Sequence, residues 1–345
     1  MSEEEVLFER EGAAGFVTLN RPKALNALTL AMVRALHPQL EAWAADEAVS
    51  CVVVQGAGEK AFCAGGDIRA LHDWGKAKDR TQIDFYREEY RLNRFIKKYP
   101  KPYVALIDGI DMGGGVGLSI HGAHRVVSER TLFAMPETGI GLFPDVGGTY
   151  FLPRCPGEVG MYLALTGARL KAADCLYAGL ADAFVPSEKL EELKAALAKG
   201  DAAPGEVVAR FSEPAGGAPL AEVRAAIDTH FAGESVEEIL ASLDAAGSGW
   251  AQETAKIIRA KSPLSTKVAF AQVRAGAKLD FDAAMQLEFR LTNRFMAGHD
   301  FYEGVRAVVI DKDQAPKWDP ATLEGVSDEM VRAYFADLGA DELTF

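Results

Sequence analysis

No stretch of the 345 residues approaches the roughly 20 consecutive apolar residues that a membrane-spanning helix needs, so no membrane partner is expected. Cysteine is scarce. The four present, Cys51, Cys63, Cys155 and Cys175, lie far apart and form no C-x-x-C pair. That argues against a disulfide framework and fits small buried thiols in a reducing compartment. Positive charge is in deficit, with 37 Lys and Arg against 50 Asp and Glu, a net charge of −13 and a pI near 5.1. A broad nucleic-acid or anionic-membrane surface is disfavoured, and no nucleic-acid partner is expected. Histidine is rare too. His121 and His124 have no carboxylate or cysteine at ligand spacing, so no metal site is expected. There is no G-x-S-x-G nucleophile elbow, because Ser119 lacks the second glycine. Cys63 has apolar neighbours and reads as a small core residue. The opening MSEEEVLFER is acidic and carries no apolar targeting core. With the reduced cysteines, this leads to the expectation of a cytoplasmic protein.

What is present is an ordinary globular composition, 49% apolar and 25% charged, with room for a sizeable core. Residues 6–10 and 15–20 read as a hairpin, 29–43 as a helix and 51–55 as a buried strand. Then come a helix over 80–98, a strand over Tyr103–Ile107, a short helix over 116–121 and a strand over His124–Val127. Continuous apolar strands alternating with helices imply an α/β chain with a parallel sheet covered on both faces. Short helices follow over 157–166 and 171–178, a last strand at 184–185 and a helix over 187–199. After 201–205 nearly everything reads as helix, with a loop at 212–219 and a capping box at Ser235-Val-Glu-Glu238.

Three stretches invite chemistry. Lys60-Ala-Phe-Cys-Ala-Gly-Gly-Asp67 and Asp108-Gly-Ile-Asp-Met-Gly-Gly-Gly-Val-Gly117 both follow a strand and precede a helix. Their glycines leave backbone N–H groups unhindered, and either could be a plain strand-to-helix turn. The second fails the spacing of a dinucleotide fingerprint and of a phosphate loop. Together they suggest one N–H from each converging on a carbonyl oxygen, where losing one donor costs about 2.7–4 kcal/mol of barrier. The third is MPETGIGLFPDVGG, residues 135–148, which carries Glu137 and Asp145 into an apolar, irregular stretch. A carboxyl held in a dry loop has its pKa raised and suits acid–base work. Glu137 could equally cap a helix or pair with an arginine, and Asp145 could cap a helix starting near Val146.

These stretches, in this order and together with Asn20-Arg-Pro-Lys-Ala-Leu-Asn26, resemble the crotonase (enoyl-CoA hydratase/isomerase) superfamily. The resemblance implies a spiral of β-β-α turns over residues 1–200, carrying the CoA and catalytic site, and a mainly helical region over 201–345. It implies an oxyanion hole from the N–H groups of Gly66 and Gly114, CoA lined by Lys23, Ala24 and Leu25, and Glu137 as the active-site acid. Hydratases of the superfamily carry a second glutamate where this chain has Gly117. MGGGVGLSIHG, FAMPETGIGLFPDVGGTYFLPR and the tail stretches Phe301-Tyr-Glu-Gly-Val-Arg-Ala and Asp311-Lys-Asp-Gln-Ala-Pro-Lys-Trp318 resemble the superfamily's 3-hydroxyisobutyryl-CoA hydrolases. In those, the acids corresponding to Glu137 and Asp145 are functional, and a glutamate matching Glu89 lines the site. The implied reaction is thioester hydrolysis of a 3-hydroxyacyl-CoA in valine breakdown. CoA belongs to the substrate and no other cofactor is expected. Lys60 and Arg69 are the candidate cations for the CoA phosphates, with Lys312 and Lys317 as further ones. A hydratase or isomerase, or a non-catalytic acyl-CoA-binding protein, stays open as an alternative, and a homo-oligomer is left unassigned.

Overall fold

Strands β1 (Val6–Glu11) and β2 (Ala14–Leu19) form the expected hairpin, with Val6 opposite Leu19 and Glu11 opposite Ala14. The computed structural model describes residues 4–345, which pack as two units interleaved along the chain. The first runs to Asp67 and takes in Glu88–Ala134 and Arg169–Ala221. The second comprises Ile68–Arg87, Met135–Ala168 and Glu222–Phe345. The division expected at residue 200 is one of secondary structure, and its first three residues lie outside the described ones. The described strands all precede residue 185, and from Leu190 on the elements are helical.

In the first unit seven more strands follow the hairpin. They are β3 (Cys51–Gly56), β4 (Ala61–Cys63), β5 (Tyr103–Ile107), β6 (Ile110–Met112), β7 (His124–Val127), β8 (Leu132–Ala134) and β9 (Ala183–Phe184). Six strands make one sheet in the order β1-β2-β3-β5-β7-β9, parallel beyond the first pair. The other three make a small parallel sheet in the order β4-β6-β8. A large-sheet strand, then a small-sheet strand, then helix is thus the repeating turn of the expected spiral. The small sheet itself is not anticipated by the sequence reading. Its strands are three residues long, and period-2 alternation needs at least four to declare itself.

Both faces of the large sheet are covered, as a parallel sheet requires. Phe16, Val53, Val104, Leu106 and Val126 pack with Leu190, Leu193, Leu197, Val207 and Val208 of the helices Leu190–Lys199 and Pro204–Phe211. The alternate residues Val17, Val52, Val54, Ala105 and Ile107 are buried on the opposite face. There a Cβ on Gly15 would come 2.7 Å from the Trp43 ring, so glycine lets the helix Leu30–Ala45 lie close.

The second unit is helical. Ser262 caps Pro263–Gly276 and Asp280 caps Phe281–Ala297 through their side-chain oxygens. Half of the expected capping box is present: Ser235 accepts from the Glu238 amide, while Glu238 reaches back to the amide of Glu234, one residue before the cap. Among the described residues no helix is long and apolar enough to cross a membrane.

The chain between β2 and the helix Leu30–Ala45 turns through Leu25 and Asn26, both left-handed with φ of 53° and 57°. Asn26 is fully buried, donating to the carbonyls of Ala57 (3.0 Å) and Ala61 (2.9 Å) and accepting from the Arg21 amide (2.9 Å). Asn26→Ala is expected to lower stability by about 1–3 kcal/mol, because it strands buried carbonyls and loses a side chain tolerant of that backbone. Urea denaturation measures it, and an unchanged midpoint would remove Asn26 from this role.

Candidate active site

In the first unit, the pairing of β4 with β6 brings the two glycine turns together. Cys63 stands opposite Asp111, so the turns that leave these neighbouring parallel strands emerge side by side. Leu28 bridges to Gly66: its N–H donates to the Gly65 carbonyl (2.8 Å), and its carbonyl accepts from the Asp67 N–H (2.9 Å). Gly66's own N–H therefore faces away from Leu28. Gly114 opens the helix Gly114–Ser119, where first-turn N–H groups have no acceptor one turn back. A Cβ at Gly114 would lie 2.7 Å from Glu89 Oε1 and 3.1 Å from the Gly66 nitrogen. A Cβ there would have to displace the Glu89 carboxyl, so glycine lets Gly66, Gly114 and Glu89 share one small space.

Glu89 is 1% exposed, so it does not belong to the solvated helix face that its charged neighbours suggest. Glu88 does face outward, in a two-bond ion pair with Arg34 (2.8 and 2.6 Å). The carbonyl of Gly117 accepts from Asn93 Nδ2 (3.0 Å), and helix Gly114–Ser119 carries no acid. A second carboxyl beside the turn is Asp111, which the sequence reading did not single out. It is fully buried, takes a 2.6 Å bond from the Ser119 hydroxyl, and is pushed up to about 7 by burial. An acid inside an apolar triplet, Ile110-Asp-Met112, was its signal. Cys63 is buried and its thiol is pushed up to about 12, which suits a core residue.

The Lys23-Ala24-Leu25 turn joins this surface through the Leu25 carbonyl, which accepts from the Ala64 N–H (3.0 Å). Lys23 and Ala24 are exposed and Leu25 is half-buried. Lys60 is exposed at the start of β4. Arg69 belongs to the second unit, where its guanidinium donates to the Val309 carbonyl (3.0 Å). Lys312 and Lys317 are exposed there, the latter donating its backbone N–H to Glu303 (2.7 Å).

The second unit holds the two acids of residues 135–148. Glu137 opens a 3₁₀ turn, Glu137–Ile140, closed by Gly141 at φ 71°. It is 4% exposed, and its Oε2 has no hydrogen-bond partner. Burial first, then the Asp145 and Glu288 charges, push it well above the ordinary carboxylate range, while Lys261 pulls the other way. Asp145 is also 4% exposed. It does not supply the helix cap weighed above: the helix Gly148–Phe151 begins at Gly147 with no side-chain cap. The Asp145 backbone carbonyl accepts from the Gly148 N–H (2.8 Å), and the amides of Gly147 and Thr149 are taken by Glu288, each at 2.8 Å. Glu288 was missed by the sequence reading. Its signal was an acid in the apolar stripe Ala284, Leu291, Phe295 of the helix Phe281–Ala297. Burial and the Asp145 charge push Glu288 up to about 8.

The glycine amides of the first unit and the buried carboxyl of the second, its pKa raised, are each of a kind that acyl-transfer chemistry uses. A family profile described as enoyl-CoA hydratase/isomerase matches residues 14–335. The chain belongs to that family. The 3-hydroxyisobutyryl-CoA hydrolase, mitochondrial, of Danio rerio is 53% identical over an alignment of 348 positions that covers 98% of this chain and 91% of that protein. The crystal structure of a carnitinyl-CoA dehydratase from Mycobacterium thermoresistibile superposes with a TM-score of 0.95 at 44% identity, covering 99% of both chains. An enoyl-CoA hydratase from Rhodobacter sphaeroides gives 0.93 at 44% identity, covering 99% of this chain and 100% of that one. The crotonase spiral expected from the sequence is therefore this family member's fold. The expectation of a cytoplasmic protein is corrected, since the Danio rerio relative is named mitochondrial. Reduced cysteines and acidic composition fit any reducing compartment and do not single out the cytoplasm.

The electrostatics of the second unit are testable on the free protein. Lys261→Met removes the cation that opposes the burial of Glu137, so the Glu137 titration midpoint is expected to move further up. Carboxyl-carbon NMR on labelled protein reads this directly, and a midpoint that falls or stays fixed would break the assignment.

Proposed function

We propose that this chain hydrolyses a 3-hydroxyacyl-CoA thioester, 3-hydroxyisobutyryl-CoA foremost, to the 3-hydroxy acid and CoA. What carries the reading is the pair of buried acids Glu137 and Asp145, held in a chain about half identical to a 3-hydroxyisobutyryl-CoA hydrolase along nearly its whole length. The thioester oxygen takes the N–H groups of Gly66 and Gly114 as its oxyanion hole. Glu137 acts on the acyl carbon by one of two routes. It attacks the carbon itself to give an anhydride that water then opens, or it takes a proton from the water that attacks. In both, the C–S bond breaks, CoA leaves as thiolate and gains a proton, and one water is consumed in forming the 3-hydroxy acid. Asp145 reads the substrate's 3-hydroxyl, and Glu89 closes the polar end beside the glycines. Lys23, Ala24 and Leu25 line the CoA, with Lys60 and Arg69 as the phosphate cations. Residues 1–200 thus hold the reacting groups, no cofactor beyond the substrate's CoA takes part, and the reaction belongs to valine breakdown.

Two relatives named for hydration chemistry keep a second reading, an enoyl-CoA hydratase, in view. Gly117, where the second glutamate of a hydratase would stand, weighs against it. The deciding assay follows thiol release and enoyl absorbance with 3-hydroxyisobutyryl-CoA, 3-hydroxypropionyl-CoA and crotonyl-CoA. Thiol release from the first two alone supports the hydrolase, and loss of the enoyl band without thiol release supports the hydratase. Glu137→Gln should abolish turnover and leave CoA binding intact, whereas near-normal hydrolysis would sink the role given to Glu137. The reaction uses ionised Glu137, so kcat/KM should rise with pH along a limb above the ordinary midpoint of about 4.3. Asp145→Ala should erode the preference for 3-hydroxyacyl over plain acyl thioesters, because a site built around a hydroxyl penalises its absence. An unchanged preference would remove Asp145 from that role.

A further inference from the structure

Residues 144–149 form a turn that the local sequence does not favour. Val146 is left-handed at φ 48° and Gly147 follows at φ 97°, so a β-branched residue occupies a backbone region it rarely adopts. Such a conformation persists only where its surroundings over-determine it. Two buried side chains from the C-terminal helices do so. Glu288 spans the turn, one carboxylate oxygen on the Gly147 amide and the other on the Thr149 amide, both at 2.8 Å. Gln272 donates through Nε2 to the Pro144 carbonyl (2.6 Å) and to the Thr149 hydroxyl (2.8 Å). Both side chains are fully buried, and Asp145 sits between the residues they grip. On the side facing Gln272, Gly276 lets the helix Pro263–Gly276 approach, since a Cβ there would fall 1.9 Å from the Thr149 carbonyl.

We propose that Glu288 is a positioning residue for Asp145: by bridging the Gly147 and Thr149 amides it fixes the turn that aims the Asp145 carboxyl, and so sets the preference for 3-hydroxyacyl over plain acyl thioesters. The second half of this rests on the hydroxyl-reading role given to Asp145 above, and the first half does not. Glu288 brings something a purely apolar strut could not. It accepts two N–H groups that would otherwise be buried unsatisfied, and it sets a second carboxyl beside Asp145. A glutamine in its place keeps the shape, but its NH₂ end would meet an amide N–H, donor against donor.

The test compares the whole enzyme with Glu288→Gln, Gln272→Leu and Asp145→Ala, using 3-hydroxyisobutyryl-CoA and isobutyryl-CoA, with amide exchange followed at Gly147 and Thr149. In Glu288→Gln, faster exchange at those two amides is expected. The ratio of kcat/KM for the two esters should fall about tenfold, the upper end of what one ordinary hydrogen bond contributes. Gln272→Leu loosens the same turn from its other side and should shift the ratio in the same direction, which keeps the test valid if Glu288→Gln folds poorly. Equal losses on both esters, or a ratio unchanged while Asp145→Ala alters it, would overturn the proposal and leave the reading of Asp145 standing. A ratio unmoved by Asp145→Ala itself would instead bring down that reading, with exchange at the two amides still deciding whether Glu288 holds the turn.

Discussion

Burying carboxyl groups in apolar surroundings is the constraint on which the arrangement of this chain depends. An isolated ionised carboxylate is costly to desolvate, so each buried acid must be neutralised, paired or supplied with N–H donors. Each of these acids is handled differently. Glu288 is given two backbone amides and Asp111 a serine hydroxyl. Glu137 keeps one oxygen without a partner in a dry setting, which holds it towards the protonated form. Glu288 has both oxygens bonded, whereas Glu137 and Asp111 each keep one buried oxygen without a hydrogen-bond partner.

That division explains why glycine clusters where it does. A backbone that offers its N–H groups to a ligand or to a buried carboxylate has to turn sharply with nothing in the way. At Gly114 a Cβ would crowd the Glu89 carboxyl and the Gly66 amide, and Gly147 takes a left-handed backbone as it offers its N–H to Glu288. The β4–β6 pairing converts two weak local patterns, 64–66 and 113–115, into one feature. Neither turn on its own would differ from a plain strand-to-helix connection.

Sequence patterning reaches far into this fold, and its failures have physical causes. The hairpin, the buried strands β3, β5 and β7 and the long C-terminal helices are legible because each holds its pattern over four residues or more. The small sheet is not legible, since Ala61–Cys63, Ile110–Met112 and Leu132–Ala134 are each too short to show a period. Within the candidate site, Glu137 and Asp145 stand out as acids in an apolar, helix-breaking stretch. Glu89 looks like a surface residue because arginines surround it in sequence, and only the family resemblance singled it out. Asp111 and Glu288 escape because their signal, one acid among apolar neighbours inside a regular element, is too weak to separate a buried face from a wet one. Compartment escapes for another reason, since nothing in core packing or charge balance encodes it.

The position of Gly117 shows how a shared scaffold separates chemistries without changing its fold. Adding water across a double bond needs acid–base groups set about the alkene carbons, and a second glutamate on the helix after the glycine turn would supply one. In this chain that helix is Gly-Gly-Val-Gly-Leu-Ser, with no group able to move a proton to carbon. Two buried acids of the helical unit instead sit on irregular turns, Glu137 on a 3₁₀ turn and Asp145 on a strained one. A carbonyl needs only a nucleophile or base and donors for its oxyanion, so a chain with glycine at 117 keeps the groups proposed for hydrolysis and lacks one that hydration would use. Fold alone does not choose between them; under the proposed assignment, the placement of a single carboxyl does.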